Sequence, residues 1–420
     1  MKTKTLLIGF MAALCVWSCS SKDDVIDIDK PYEPKPEEPV TRHSYTPVQL
    51  NETQQAINAK LQEFSWELFK EVYVINDATE NLMISPISLE VALGMFQNGI
   101  EGKTLEKLLK TQGLDGFMVD EVNDYYKTMI TGIAQADDRV TFTSANSFWY
   151  HNEYSVSDYF KSAIENNYSA EVASADFSDS KTKDIINSWC SDNTGERIKE
   201  IITALSPDDL FHLMNAVYFK GGWPFEFDKS QTKKDEFKTA SGDIKEVDMM
   251  YKQFSSISYS DAGDFETIVL PFSSPGFMFF AMLPKEDVKM DDAIASLNPA
   301  SLNSFIGGKV NLYMPKFEVE YEMAALVEVL QAINPELAFN QDEITFLENT
   351  KVNDVNIMQK TFFKVDEEGV EAASVTNISN GHTYDPDKSG IIELRFNRPF
   401  VYGIMEASTN MPLFIGYYGN

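Results

Sequence analysis

The sequence predicts an α+β fold, with helices concentrated in the first half of the chain and strands in the second. The segment "QAINAKLQEFSWELFKEVY" places Ile57, Leu61, Phe64, Leu68 and Val72 at the spacing of one buried helix face. The run "FMFFAMLP" is apolar throughout, which is typical of a central strand covered on both faces. Together the two patterns indicate helices packed against a buried sheet.

Further segments extend this prediction in chain order. "ISLEVALGMFQNG" predicts a second, more deeply buried helix that ends at Gly99. "KVNLYMPKFEVEYE" alternates apolar and polar residues, and "MPLFIGYYGN" closes the chain, so both predict strands. The composition is globular from Val48 onward, without an internal repeat or a second linker. Residues 48–420 are therefore predicted to form a single domain.

Charge and motif content exclude several classes of function. The chain has 65 acidic and 35 basic residues, a formal net charge of −30, so we expect it to repel nucleic acid and to favour cationic partners. It has four histidines and three cysteines, and no nucleophile elbow, zinc-binding pattern or phosphate-binding loop. We therefore expect neither enzymatic activity nor a metal or other cofactor. A hydrolase with a site assembled from distant residues is the weakest alternative.

The N-terminal residues are predicted to serve export rather than folding. Two lysines precede the short apolar run "LLIGFMAALCVW", which predicts a signal peptide over residues 1–18. Ser18 and Cys19 resemble a bacterial lipoprotein cleavage site, which would make Cys19 the lipidated first residue. Residues 19–47 are acidic and rich in proline, and predict an extended spacer. We expect an outer-membrane lipoprotein facing outward, touching membrane only through its lipid, or a secreted protein.

A long segment near the C-terminus has an unusual composition. "EEGVEAASVTNISNGHTYDPDKSG" (367–390) begins charged, continues with small residues and ends polar, with glycine and proline. Long loops in compact domains are usually functional. Its first part resembles a strand that has no sheet to join.

Five segments together resemble the serpin family over residues 48–420. They are "NLMISPISLEVALGMFQNGIEGKT" (81–104), "LMNAVYFKGGWPFEFD" (213–228), "LYMPKFEVEYE" (312–322), "VDEEGVEAASVT" (365–376) and "RPFVYGIMEASTNMPLFIGYYGN" (398–420). The resemblance implies three β-sheets, about nine helices and an exposed reactive-centre loop. It also implies a monomeric suicide substrate: a protease cleaves the loop, whose N-terminal half then enters the main sheet as a new strand and traps the acylated protease.

The hinge that would enter the sheet can be analysed residue by residue. Glu371 cannot face a core unpaired, so the even-numbered positions of this strand are predicted to point inward. Val370 departs from the Thr or Ser of inhibitory relatives, but it is uncharged and favours strands. The hinge comprises Glu367, Glu368, Gly369, Val370, Glu371, Ala372, Ala373, Ser374, Val375 and Thr376.

The resemblance also implies where the sheet opens. A polar cluster beneath its middle corresponds to Ser85, Ser88 and Asn215, and Gln359 replaces the family's usual histidine. Glutamine can donate and accept hydrogen bonds without titrating near neutrality. Trp223 corresponds to the tryptophan where insertion begins.

The position of the reactive bond is ambiguous. Counting forward from Gly369 by family spacing gives Thr383, whereas counting back from "RPF" gives Lys388. Thr383 and Tyr384 would favour elastase-like and chymotrypsin-like serine proteases, and Lys388 trypsin-like or papain-like ones. The alternative from another functional class is a non-inhibitory serpin that acts in binding or adhesion.

Overall fold

The computed structural model describes residues 45–76, 80–323, 325–352, 355, 357–369 and 390–420. Within these residues there are eight α-helices and three short 3₁₀ helices. The helices are α1 (Glu52–Ile75), α2 (Pro86–Gln97), α3 (Gly102–Thr111), α4 (Val119–Ala134), α5 (Asp158–Tyr168), α6 (Ser180–Asn193), α7 (Met290–Ser296) and α8 (Leu326–Ile333), and the 3₁₀ helices are Lys229–Gln231, Pro299–Leu302 and Gln341–Glu343.

Sixteen strands form three sheets in the same residues. The strands are β1 (Leu82–Ile84), β2 (Val140–His151), β3 (Ser155–Val156), β4 (Glu171–Ala175), β5 (Phe211–Gly221), β6 (Lys233–Lys238), β7 (Ile244–Ser260), β8 (Phe265–Pro271), β9 (Phe277–Pro284), β10 (Ile306–Pro315), β11 (Phe317–Met323), β12 (Leu347–Glu348), β13 (Ile357–Val365), β14 (Ile392–Arg395), β15 (Phe400–Glu406) and β16 (Met411–Tyr418).

The sheets confirm the predicted mixed α+β class. The nine-stranded sheet has the order β1-β16-β15-β9-β8-β7-β10-β14, with β6 paired to β7. The five-stranded sheet has the order β11-β13-β5-β2-β4, and β12 pairs with β3. The predicted helices and buried strands are present, but β2 and β4 lie in the half of the chain where mainly helices were expected. The predicted strand over residues 309–322 divides at Lys316 into β10 and β11, which belong to different sheets.

Each face of the five-stranded sheet packs on a separate apolar cluster. Leu213, Val217 and Phe219 of β5 contribute to the main core, which also contains α1, α2 and the nine-stranded sheet. Met214 and Ala216 of the same strand face a smaller cluster under α6, which includes the buried Cys190. The alternation of side chains along a strand explains why neighbouring residues reach different cores.

Helix α2 lies at the centre of the molecule and is buried along its whole length. Its Glu90 is fully buried and lies 2.7 Å from the hydroxyl of Ser65, which itself lies 2.8 Å from the carbonyl oxygen of Leu61. The Ser65 hydroxyl, which has one proton, is the donor towards these two oxygens. Its bond to Glu90 lowers the pKa of the carboxyl, but burial outweighs this and raises the pKa to about 8, so Glu90 is mostly protonated at neutral pH.

The protonated Glu90 predicts a specific dependence of stability on pH. Because the folded-state pKa lies above the unfolded value, its contribution is complete below about pH 4.5 and declines up to about pH 8, by roughly 1 kcal/mol per pH unit. Glu90→Gln keeps an acceptor for the Ser65 hydroxyl without a titrating group. We expect the urea midpoint of the variant to fall less than that of the wild type between pH 5 and pH 9. The neighbouring groups Tyr125 and Tyr126 are buried phenols whose own pKa values are raised, so they supply no cation to Glu90.

The exposed Glu63→Gln is the matched control on the same helix as Ser65, and it should follow the wild type across this pH range. Parallel pH profiles for the wild type and Glu90→Gln would show that Glu90 does not carry the proton.

Candidate functional site

The five-stranded sheet contains an opening between its two neighbouring parallel strands, β5 and β13. Among the described residues they pair at only two positions, where Ile357 lies opposite Leu213 and Met358 opposite Met214. Beyond these positions residues 215–221 and 359–365 face each other without pairing, and we call this interval the slot. A cavity of about 510 Å³ lies at the slot and is lined from both strands by Tyr218, Phe219, Lys220, Phe362, Phe363 and Lys364.

The upper end of the slot is closed by the hinge glycine. Gly369 forms one antiparallel bridge with Gly222, which follows β5, and another with Asp366, which follows β13. The offset in residue number between Asp366 and Gly222 is the same as that between Met358 and Met214. The two strands therefore keep one register from the lower end of the slot to its upper end.

Gly369 can occupy this position because it has no side chain. Its φ is +90°, and a Cβ there would lie 2.5 Å from the backbone nitrogen of Trp223. Trp223 is buried beneath it, donating its backbone N–H to Glu368 at 3.3 Å and its indole N–H to the Asp366 carbonyl at 3.1 Å. The indole stacks on Phe272 with a centroid distance of 5.1 Å.

Glu367 anchors the same turn through a buried carboxylate. Its side chain is 6% exposed, accepts a hydrogen bond from Thr232 at 2.8 Å and forms an ion pair with Lys316 at 2.9 Å. Burial alone would raise the pKa of Glu367, but the hydrogen bonds from Lys316 and Thr232 outweigh it and lower the pKa. Lys316 lies between β10 and β11, so this ion pair joins the hinge to the crossing between the two large sheets.

A polar cluster lies at the lower end of the slot. By the common register, Asn215 and Gln359 lie opposite each other at the first unpaired position. Asn215 accepts a hydrogen bond from Ser88 and donates to Asn146 and, at 3.1 Å, to Ser144. Gln359 exchanges two hydrogen bonds of 2.9 Å with the backbone of Ser85.

The two strands are thus connected through helix α2 rather than directly. Ser88 is bonded to β5, and Ser85 is bonded to β13 and, through its hydroxyl, to the carbonyl of Leu413 in β16 at 2.7 Å. These groups are all buried, so separating the strands here would expose several donors and acceptors to apolar surroundings. The cluster lies where the paired part of β5 and β13 begins.

The structure places the predicted site residues that it describes in two groups. Glu367, Glu368, Gly369 and Trp223 lie together at the upper end of the slot, and Ser85, Ser88, Asn215 and Gln359 at its lower end. Hinge residues 370–376, the reactive-bond candidates Thr383, Tyr384 and Lys388, and Cys19 lie outside the described residues. Sequence reasoning missed Thr232 and Lys316. Neither has a local sequence signal, because both act through contacts with residues far along the chain.

Searches for other chemistry within the described ranges gave negative results. No group of three or more His, Cys, Asp or Glu side chains in them is placed to hold a metal ion. Of the helices in that part of the chain, none combines the length and apolar character that a membrane span requires.

Comparisons with known proteins agree with this architecture. The family model described as "Serpin (serine protease inhibitor)" matches residues 59–420. This chain belongs to the serpin family. A serpin-like protein of Methanosarcina mazei is 26% identical over 84% of each chain, and corticosteroid-binding globulin of Pongo abelii is 27% identical over 84% of this chain and 87% of the relative. The native-state crystal structure of the thermophilic serpin Tengpin superposes with a TM-score of 0.78 at 28% identity, covering 90% of this chain and 97% of that one.

The buried carboxylate of Glu367 predicts that Lys316 stabilises the upper end of the slot in this serpin. Lys316→Met would leave the buried carboxylate of Glu367 with a neutral donor only. We therefore expect the free energy of unfolding to fall by about 1–3 kcal/mol. The urea midpoint should fall more in Lys316→Met than in the exposed control Lys351→Met. In the background of Glu367→Gln, Lys316→Met should lower the free energy of unfolding by less. Equal costs in both backgrounds would contradict the coupling.

Proposed function

We propose that this serpin inhibits proteases as a suicide substrate, by insertion of residues 370–380 into the slot after the loop is cleaved. The observation that carries the proposal is the pair of bridges at Gly369. A chain that leaves the top of β13 and turns there runs antiparallel to both β13 and β5. It would therefore find a partner for hydrogen bonding on each side.

The register at Gly369 assigns a neighbour to each entering residue. Continuing the two bridges places Ala372 between Phe219 and Phe363, and Thr376 between Asn215 and Gln359. All four of these flanking residues are buried on the core side of the sheet. In this proposal Ala372 and Thr376 point inward, which is consistent with the sequence-based expectation for even-numbered hinge residues. Residues 370–376 would fill the unpaired part of the slot, and residues beyond Thr376 would have to separate the remaining pairs.

The energy of this step is sufficient to make it irreversible. Each new strand hydrogen bond contributes on the order of 1 kcal/mol net, and a strand inserted between two neighbours makes bonds on both sides. The burial of Val370, Ala372 and Ile378 adds to this. The total is on the order of ten kcal/mol, which is comparable to the whole free energy of unfolding of a typical protein.

For the target we favour a cationic serine protease of elastase-like or chymotrypsin-like specificity. The chain's net charge of −30 would accelerate its encounter with a basic enzyme. Cleavage after Thr383 or Tyr384 suits those specificities, whereas cleavage after Lys388 would suit trypsin-like or papain-like enzymes. We further propose that the domain acts at the cell surface, held by a lipid on Cys19 and the spacer over residues 19–47, or as a secreted protein.

Membership of the family also supports a second candidate, a non-inhibitory binding protein. One of the similar relatives is a corticosteroid-binding globulin. In that case the loop would be cut as an ordinary substrate.

The test is incubation with elastase, chymotrypsin, trypsin and papain, followed by a denaturing gel and mass spectrometry of the released fragment. Inhibition predicts a covalent complex that survives denaturation, and a cut at one of the three candidate bonds. It also predicts that nicked protein melts at a higher temperature than intact protein. Val370→Arg and Ala372→Pro should abolish the complex while the loop is still cut. Clean cutting of the wild type without a complex and without a rise in Tm would support the binding protein instead.

A further inference from the structure

A pair of lysines faces the slot at a single level. Lys220 of β5 and Lys364 of β13 are related by the same offset as Met214 and Met358, so they lie opposite each other across the slot. Each lysine directly follows a buried core residue along its strand, Phe219 before Lys220 and Phe363 before Lys364. The two lysines therefore lie on the outer face of the sheet. This is the one level of the slot with a basic residue on both strands.

We propose that Lys220 and Lys364 are positioning residues that receive the carboxylate of Glu371 and fix the register of the entering strand. The proposal rests on the proposed function, because it concerns how insertion proceeds. The occupant is residues 370–380, which begin directly after Gly369. Continuing the bridges of Gly369 by two residues places Glu371 between the two lysines.

Charge complementarity supports this assignment. Glu371 is the only charged residue between positions 370 and 380. The cavity at the slot is lined by five basic residues, Arg197, Lys220, Lys229, Lys316 and Lys364, and three acidic ones, Asp366, Glu367 and Glu368. This is a basic excess in a chain whose net charge is −30. An entering carboxylate would reduce that excess.

The acidic residues that line the cavity already have partners at its upper end. Lys316 pairs with Glu367 at 2.9 Å, Lys229 pairs with Glu368, and Lys364 lies 3.2 Å from Asp366. Lys364 is exposed, and it lies two residues below Asp366 along the chain, on the same face of the sheet. Its side chain can therefore turn from Asp366 towards a carboxylate that arrives at its own level. Lys220 is half-buried on the opposite strand.

The lysine pair would also select against a shifted strand. A slip by one residue would place Val370 or Ala372 between the lysines and turn Glu371 towards the rings of the core. That state would bury an unpaired carboxylate, which is strongly unfavourable. Opposite charges on neighbouring strands stabilise a sheet, whereas like charges destabilise it. The correct register is therefore the one in which Glu371 lies between Lys220 and Lys364.

The proposal is tested by reversing charges in the full chain. We expect Glu371→Lys to raise the number of inhibitor molecules consumed per protease inhibited at least threefold, because slower insertion lets the protease escape. Combining it with Lys220→Glu and Lys364→Glu should restore most of the wild-type value. The number consumed by Glu371→Gln should lie between those of the wild type and Glu371→Lys. Raising the salt concentration should reduce the differences among the three proteins. Lys351→Glu, which lies outside the slot, is the control for a change of net charge.

A second readout separates this proposal from the proposed function. The rise in Tm on nicking is measured for the wild type, for Glu371→Lys and for the triple variant, each cut with the same protease. If nicked wild type gains no stability, insertion itself is wrong. A second outcome is that nicked wild type gains stability, but the number of inhibitor molecules consumed per protease inhibited is unchanged in Glu371→Lys or is not restored in the triple variant. In that case insertion stands and the role of the lysines is overturned.

Discussion

The common register of β5 and β13 is the constraint on which the rest of the site depends. Two parallel neighbours in a sheet normally bond along their whole shared length, and unpaired backbone groups inside a fold are costly. Here the pairing seen among the described residues is Ile357–Leu213 and Met358–Met214, while the bridges at Gly369 preserve the same offset at the upper end. A third strand antiparallel to both can satisfy the facing groups in between without changing that offset.

Helix α2 links the two strands at the lower end of the slot. Ser85 bonds to β13 and Ser88 bonds to β5, so the N-terminal turn of one buried helix connects the two sides. The connection lies directly beyond the paired residues, which is where further opening would begin. Upper and lower ends of the slot are therefore held by different means. An ion pair and an aromatic stack fix the hinge, and buried neutral hydrogen bonds hold the cluster.

Local sequence patterns predicted the helices and strands, but not the contacts across the slot. The spacing of Ile57, Leu61 and Phe64 suffices for a helix, whereas the alternation of hinge side chains inferred from the charge of Glu371 stays a prediction. The register of β5 against β13 depends on residues far apart in sequence, which no local pattern encodes. For the same reason, neither the pairing of Lys316 with Glu367 nor the bonding of Gln359 to Ser85 was predictable from composition or spacing.

The register also accounts for the least typical hinge residue. Continuing the bridges at Gly369 by one residue would place Val370 between Gly221 and Val365. A Cβ on Gly221 would lie 3.1 Å from the rings of Phe219 and Phe272, so this strand has no side chain at that level. A branched side chain arriving from the neighbouring strand would meet the aromatic surface of Phe219 and Phe272 on that side. Valine at position 370 is thus compatible with entry, and its apolar surface is matched by Val365 on the other side.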